Sequence, residues 1–139
     1  MRTRILHVTG PCCSGKSHVI RQLSSAIRVQ TWDVAAARGK AGSTKAALPG
    51  LRAAASKFSS LVVESSGQNR QLNSELYKLG RVTTVPMAAP SAPEVKARSA
   101  SRGMAATAVD SFNRRFMWPE GVNQAQALAT ATAWANSSR

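Results

Sequence analysis

The stretch "ILHVTGPCCSGKSHVI", residues 5–20, decides how the rest of the chain is read. An apolar run, Ile5 to Val8, enters a turn that begins at Gly10. From Lys16 onward, Val19, Ile20, Leu23 and Ile27 recur at helical spacing opposite His18, Arg21, Gln22 and Ser25. A buried strand therefore feeds a glycine-bounded loop, and the loop opens an amphipathic helix.

Gly10-Pro11-Cys12-Cys13-Ser14-Gly15-Lys16-Ser17 fits G-x-x-x-x-G-K-[ST], the P-loop or Walker A pattern, in the strand–loop–helix context that gives the pattern meaning. The glycines let the backbone wrap an anion with successive N–H groups pointing inward, and the following helix offers its positive N-terminus to the same phosphates. Lys16 is placed to reach the β and γ phosphates, and the Ser17 hydroxyl to reach Mg²⁺. ATP with Mg²⁺ is the expected ligand, held by residues 10–17 with His18 beside them. Cys12 and Cys13 fall on variable positions and read as small spacers. Being adjacent, they form no ordinary disulfide and lack zinc-site spacing, which points to a reducing, cytoplasmic setting.

Within 139 residues, 19 Lys plus Arg stand against 6 Asp plus Glu, a net charge of +13. One domain, residues 1–139, is expected, with an electropositive surface that attracts polyanions. Simple solubility is the blander account of that charge. No apolar run approaches the roughly 18 residues of a membrane span.

Strands are predicted at "RILHV" (4–8), "RVQTW" (28–32), "SLVVE" (60–64) and "RVTTVP" (81–86). Between them lie the helix from Lys16, a basic Ala-rich segment over 34–58 that reads as loop and then helix from about residue 50, and a helix over 68–79 capped by Gly80. Residues 86–104 read as a mobile segment, and 105–139 as a helical tail in two pieces broken at Pro119 and Gly121. The alternation implies an α/β fold: a three-layer αβα domain on a mostly parallel sheet of four or five strands.

Six carboxylates occur, and four read as structural. Glu75 sits three residues before Lys78 as a surface pair, Glu94 follows Pro93 at a helix start, and Asp110 and Glu120 belong to the tail. Asp33 and Glu64 remain, each directly after a predicted parallel strand, at the edge where open α/β sheets bind ligands. Helix capping is the alternative role for either.

With this motif and element order, the chain resembles the P-loop NTPase superfamily over about residues 3–104, and within it the small P-loop kinases of the polynucleotide-kinase and zeta-toxin type. It carries neither the N-K-x-D motif nor the D-x-x-G of GTPases, and it is short for the sensor elements of motor ATPases. The resemblance implies Asp33 as the general base on an acceptor hydroxyl. It implies Glu64 as a water-mediated Mg²⁺ holder, where the family more often has Asp. It also implies a basic lid in "APEVKARSASRG", with Lys96, Arg98 and Arg102 closing over the triphosphate; a solvated basic linker is the alternative. Arg114 and Arg115 are weaker nucleotide contacts.

The charge favours a nucleic-acid acceptor, probed by Arg38, Lys40, Lys45 and Arg52 along the backbone and by Trp32 stacking a base. Trp32 reads equally as a buried strand-end aromatic. The chain is similar to what a phage kinase of a hydroxymethylated pyrimidine in DNA, such as 5-hydroxymethyluracil, would require, working in the host cytoplasm with the base flipped out. A kinase of polynucleotide ends, a nucleotide or small-metabolite kinase, a nucleotide-dependent DNA-binding ATPase and a degenerate nucleotide-binding domain are the alternatives.

Overall fold

Successive side chains of a strand leave opposite faces of its sheet, and β1 (Thr3–Thr9) uses both faces for core. In the computed structural model, which describes residues 2–137, β1 lies between β3 (Ser60–Glu64) and β4 (Gly80–Pro86). β2 (Gln30–Asp33) adds outside β3, giving the order β2-β3-β1-β4 with every pair parallel. Leu6 and Val8 face α1 (Lys16–Ala26) and α7 (Gln124–Asn136), where Val19, Leu23, Ala131 and Trp134 complete one apolar layer. Ile5, Leu61 and Val63 face the other way, onto Leu48 and Leu51 of α3 (Thr44–Lys57) and Leu72 and Leu76 of α4 (Arg70–Leu79). The result is the three-layer α/β sandwich expected of strands that alternate with helices.

A fifth strand is reduced to a single residue. Val122 forms one parallel bridge with Met87, donating to the Pro86 carbonyl at 2.9 Å and accepting from the Ala88 amide at 2.8 Å. That bridge delivers the chain to α7, which packs against α1. Among the described residues no helix is long and apolar enough to cross a membrane.

The structure departs from the sequence reading in several places. β2 runs through Asp33 rather than stopping before it. The expected loop after it is α2 (Val34–Ala41), capped by the Asp33 side chain on the Ala35 amide and closed by Gly42 at φ 93°. α3 starts at Thr44, not near residue 50, so Pro49 and Gly50 lie inside it. A Ser43 cap and the buried stripe of Ala47, Leu48, Leu51 and Ala55 outweigh these two poor helix formers. The segment read as mobile contains α5 (Ala92–Ser101), opened by a reciprocal Ser91–Glu94 capping box, and α6 (Ala106–Arg114) follows. Glu94 thus has its expected role at a helix start. Glu75 does not pair with Lys78 on the surface; it is buried and accepts from Arg52 Nε on α3.

Gly80 caps the C-terminus of α4 as expected, its amide donating to the Leu76 carbonyl, but not in left-handed backbone. It opens β4 in extended backbone at φ −168°. What requires glycine there is proximity, since a Cβ would stand 2.1 Å from the Thr3 carbonyl oxygen, a backbone atom of the central strand. Gly80→Ala is expected to cost about 3 kcal/mol by forcing β1 and β4 apart. A urea titration checks this, with the midpoint falling and the slope unchanged.

Candidate functional site

Three residues of the loop 10–17 run in the left-handed half of φ space: Gly10 at 146°, Cys13 at 65° and Gly15 at 100°. This turn brings the chain from β1 into α1 with Gly15 as N-cap and no side chain on the first-turn amides. Those amides have no intrahelical acceptor, and they lie at the positive end of the helix dipole. Lys16 spans the loop, its Nζ donating to the Gly10 and Pro11 carbonyls at 2.8 Å each. Burial holds its ammonium below the ordinary lysine value, and the Glu64 carboxylate opposes that shift. Ser14 Oγ is buried without a partner among the described residues. A cradle of free amides, one cation and an unpaired hydroxyl fits a polyphosphate.

The two acids come together as the parallel strands demand. Asp33 and Glu64 are partners in the β2–β3 register, and the Ser17 hydroxyl donates to both carboxylate oxygens of Glu64 at 3.0 Å. Burial raises the Glu64 pKa, and the neighbouring Asp33 charge raises it further. A hydroxyl beside a carboxylate at the mouth of a phosphate loop is the hard-oxygen set that Mg²⁺ takes alongside phosphate oxygens, so these residues fit the ion. Asp33 is exposed and caps α2 through Oδ1, 2.9 Å from the Ala35 amide. The capping alternative therefore holds for Asp33, which remains open to solvent beside Glu64.

Helices α5 and α6 rest on the loop through the cysteines. Cys13 is buried with Val95 of α5 and Val109 of α6, and Cys12 and Ala106 border that cluster. The two cysteines are thus more than spacers, since the side chain at Cys13 seats both helices. Asn113 of α6 clasps the Cys12 backbone, accepting from its amide at 2.8 Å and donating to its carbonyl at 3.2 Å. Arg98 donates to the Cys13 carbonyl and to Glu94, each at 2.7 Å. Arg102 is exposed, and its charge is felt at Cys12, Lys16 and Glu64. Burial together with Cys13 pushes the Cys12 thiol up, away from a reactive thiolate.

The remaining expected residues divide. Arg38, Lys40 and Lys45 are exposed on α2 and α3, directly after Asp33. Arg52 gives its Nε to Glu75, while its side chain stays exposed. Trp32 is half-buried against the α3–α4 cluster, as the strand-end alternative expected. His18, Lys96, Arg114 and Arg115 are exposed.

A hydrogen-bonded chain beneath the loop had no motif to announce it. Buried His7 faces the Ser65 hydroxyl through Nε2, and Ser65 Oγ accepts from the Gly67 amide at 3.0 Å. Asn73 on α4 donates to the Gly67 carbonyl at 2.9 Å. Together these groups fix the turn that follows Glu64. Its only trace in the sequence is a polar residue in an apolar strand.

No family model and no curated protein matches the chain. Solved structures do. A gluconokinase from Sinorhizobium meliloti 1021 is similar at 16% identity over 98% of this chain and 93% of that one, with a TM-score of 0.66. A sugar kinase from Janibacter sp. HTCC2649 is similar at 19% identity over 96% and 95%, with a TM-score of 0.63. This chain has the P-loop kinase fold. A chain of the Pnkp1/Rnl/Hen1 RNA repair complex shares that fold at 10% identity and a TM-score of 0.63, with 93% of this chain matching 46% of that one.

In this P-loop kinase fold His7 is a pH-sensitive part of the site's floor. Burial lowers its pKa from 6.5 to about 4, so between those values the unfolded chain binds the extra proton and the folded chain resists it. Stability from this group is complete above the ordinary histidine value and is lost as pH falls toward 4, by about 3 kcal/mol over the whole window. Urea unfolding at a series of pH values should show that slope, and His7→Gln should flatten it.

Proposed function

We propose that the chain is an ATP-dependent phosphotransferase acting on a hydroxyl acceptor. The observation that carries this reading is the contact of Ser17 with both oxygens of Glu64 at 3.0 Å, beside a lysine held across the loop. In use, Lys16 leaves the Gly10 and Pro11 carbonyls for the phosphate oxygens, and the amides of α1 take the same anion. Ser17 and Glu64 would hold Mg²⁺, which neutralises charge between the β and γ phosphates. The acceptor oxygen bonds to the γ phosphorus as the bond to the β-phosphate oxygen breaks, and ADP leaves. Asp33 takes the acceptor's proton. Arg98 and Arg102, from the helix resting on Cys13, close the mouth and stabilise the charge that spreads over the transferred group.

A nucleic-acid acceptor, either a modified base such as 5-hydroxymethyluracil in DNA or a polynucleotide end, is supported by the net charge of +13 and by exposed Arg38, Lys40 and Lys45 following Asp33. A small-metabolite acceptor is supported by the gluconokinase and sugar kinase among the similar structures. Labelled ATP offered with hydroxymethyluracil DNA, 5′-hydroxyl oligonucleotides, mononucleotides and gluconate separates the two: label in the small acceptors alone rules out the polymer. Asp33→Asn should lower transfer by about 10²–10⁴-fold and leave ATP affinity intact, whereas Lys16→Ala should remove both. ATP hydrolysis that persists in Asp33→Asn, with no acceptor labelled, would instead identify a nucleotide-dependent ATPase.

A further inference from the structure

On the α4 side of the sheet, across β1 from Asp33, lies a cavity of about 420 Å³. Its wall includes Gly10, the first residue of the phosphate loop, so it adjoins the proposed nucleotide site without being part of it. His7 and Thr84, partners in the β1–β4 register, form its floor. Asn73 and Tyr77 rise from α4 on one wall, and Trp118 closes the opposite one.

Two features set this space apart from an accidental gap between sheet and helix. The first is its chemistry. The chain carries 19 Lys and Arg, yet none of the residues lining this cavity is an arginine, lysine, aspartate or glutamate. His7, the lining residue that could gain charge, is neutral at physiological pH because burial lowers its pKa to about 4. The lining is mostly apolar, with Leu76, Val82, Pro86 and Met87 beside uncharged amide, hydroxyl and aromatic groups. The second is its finish. Trp118 is tethered by its indole Nε1 to the Asn113 carbonyl at 2.8 Å and braced by Phe112 and Phe116. Gln68 reaches across to the Met117 carbonyl at 3.3 Å, drawing the segment before Pro119 toward the loop after Glu64. Tyr77 is 61% exposed at the rim, an aromatic ring with little protein to cover it. On the wall, Asn73 spends its amide on the Gly67 carbonyl and leaves Oδ1 buried with no partner among the described residues. Flat rings at the walls and uncharged hydrogen-bonding groups around the floor are what a small ring compound needs, and the volume lies within the usual range of about 300–1,000 Å³.

We propose that this cavity binds a small uncharged ring compound bearing hydroxyl or amide groups, a free nucleoside or a neutral sugar, at a site separate from the phosphate loop. A carboxylate or phosphate on the ligand would find no cation there and would be lost from water without compensation. The polyanion-attracting surface and this neutral site therefore select different molecules.

The test uses the full chain without ATP. Adenosine, thymidine and glucose are titrated while Trp118 emission and saturation-transfer NMR are followed, with gluconate as the charged counterpart. At least one neutral probe should bind saturably, and equally well to Lys16→Ala, which keeps the site independent of the kinase reading. Whether nucleosides or glucose bind identifies the source of the ring. Thr84→Trp, which fills the floor, should weaken that probe at least about tenfold while the melting transition is retained. If that variant does not fold, Tyr77→Ala should weaken binding at the rim instead. Trp118→Phe should remove the emission change and keep the NMR signal. The proposal is overturned if no neutral probe binds up to about 10 mM, if gluconate binds as tightly as the neutral probes, or if binding survives both Thr84→Trp and Tyr77→Ala.

Discussion

Lys16 and Ser17 take their positions from a backbone that must turn through left-handed φ three times between Gly10 and Gly15. Glycine meets that demand without cost at two of the three places. At Cys13, where a Cβ makes such a conformation unfavourable by roughly 1–2 kcal/mol, the side chain is buried with Val95 and Val109. The contacts that seat α5 and α6 also hold the loop's strained residue in place. The loop and these two helices are therefore one mechanical unit, tied again by Asn113 on Cys12 and Arg98 on Cys13.

The sheet, not the loop, places the two acids. Parallel pairing brings the ends of β1, β2 and β3 to one edge, so Asp33 and Glu64 stand side by side next to Ser17. Burial of Glu64, with the Asp33 charge beside it, raises the pKa of Glu64. The charges of Lys16 and Arg102 oppose that rise.

The chain's excess of positive charge is unevenly used. Arg52 closes on Glu75 and Arg98 on Glu94, while Arg38, Lys40 and Lys45 stay exposed beyond Asp33. The cavity under α4 excludes formal charge altogether. Basic, acidic and neutral surfaces are thus carried by different elements around one small sheet.

Local features were legible in the amino-acid order. The phosphate loop, the strands around Leu6, Val62 and Val82, the amphipathic stripe of α1 and the placing of Asp33 and Glu64 at strand ends all follow from periodicity and glycine spacing, which act over a few residues. What depended on distant partners was not. Gly80 reads as a helix cap and is one, but the need for glycine there comes from Thr3, which only the pairing of β1 with β4 brings against it. Pro49 and Gly50 look like breakers until the buried face of α3 outweighs them. Cys13 looks like a spacer until two helices from beyond residue 90 land on it, and Glu75 appears to belong to Lys78 until α3 presents Arg52. Short-range geometry is written in neighbouring residues, whereas burial, close approach and charge pairing exist only once remote segments share the same space.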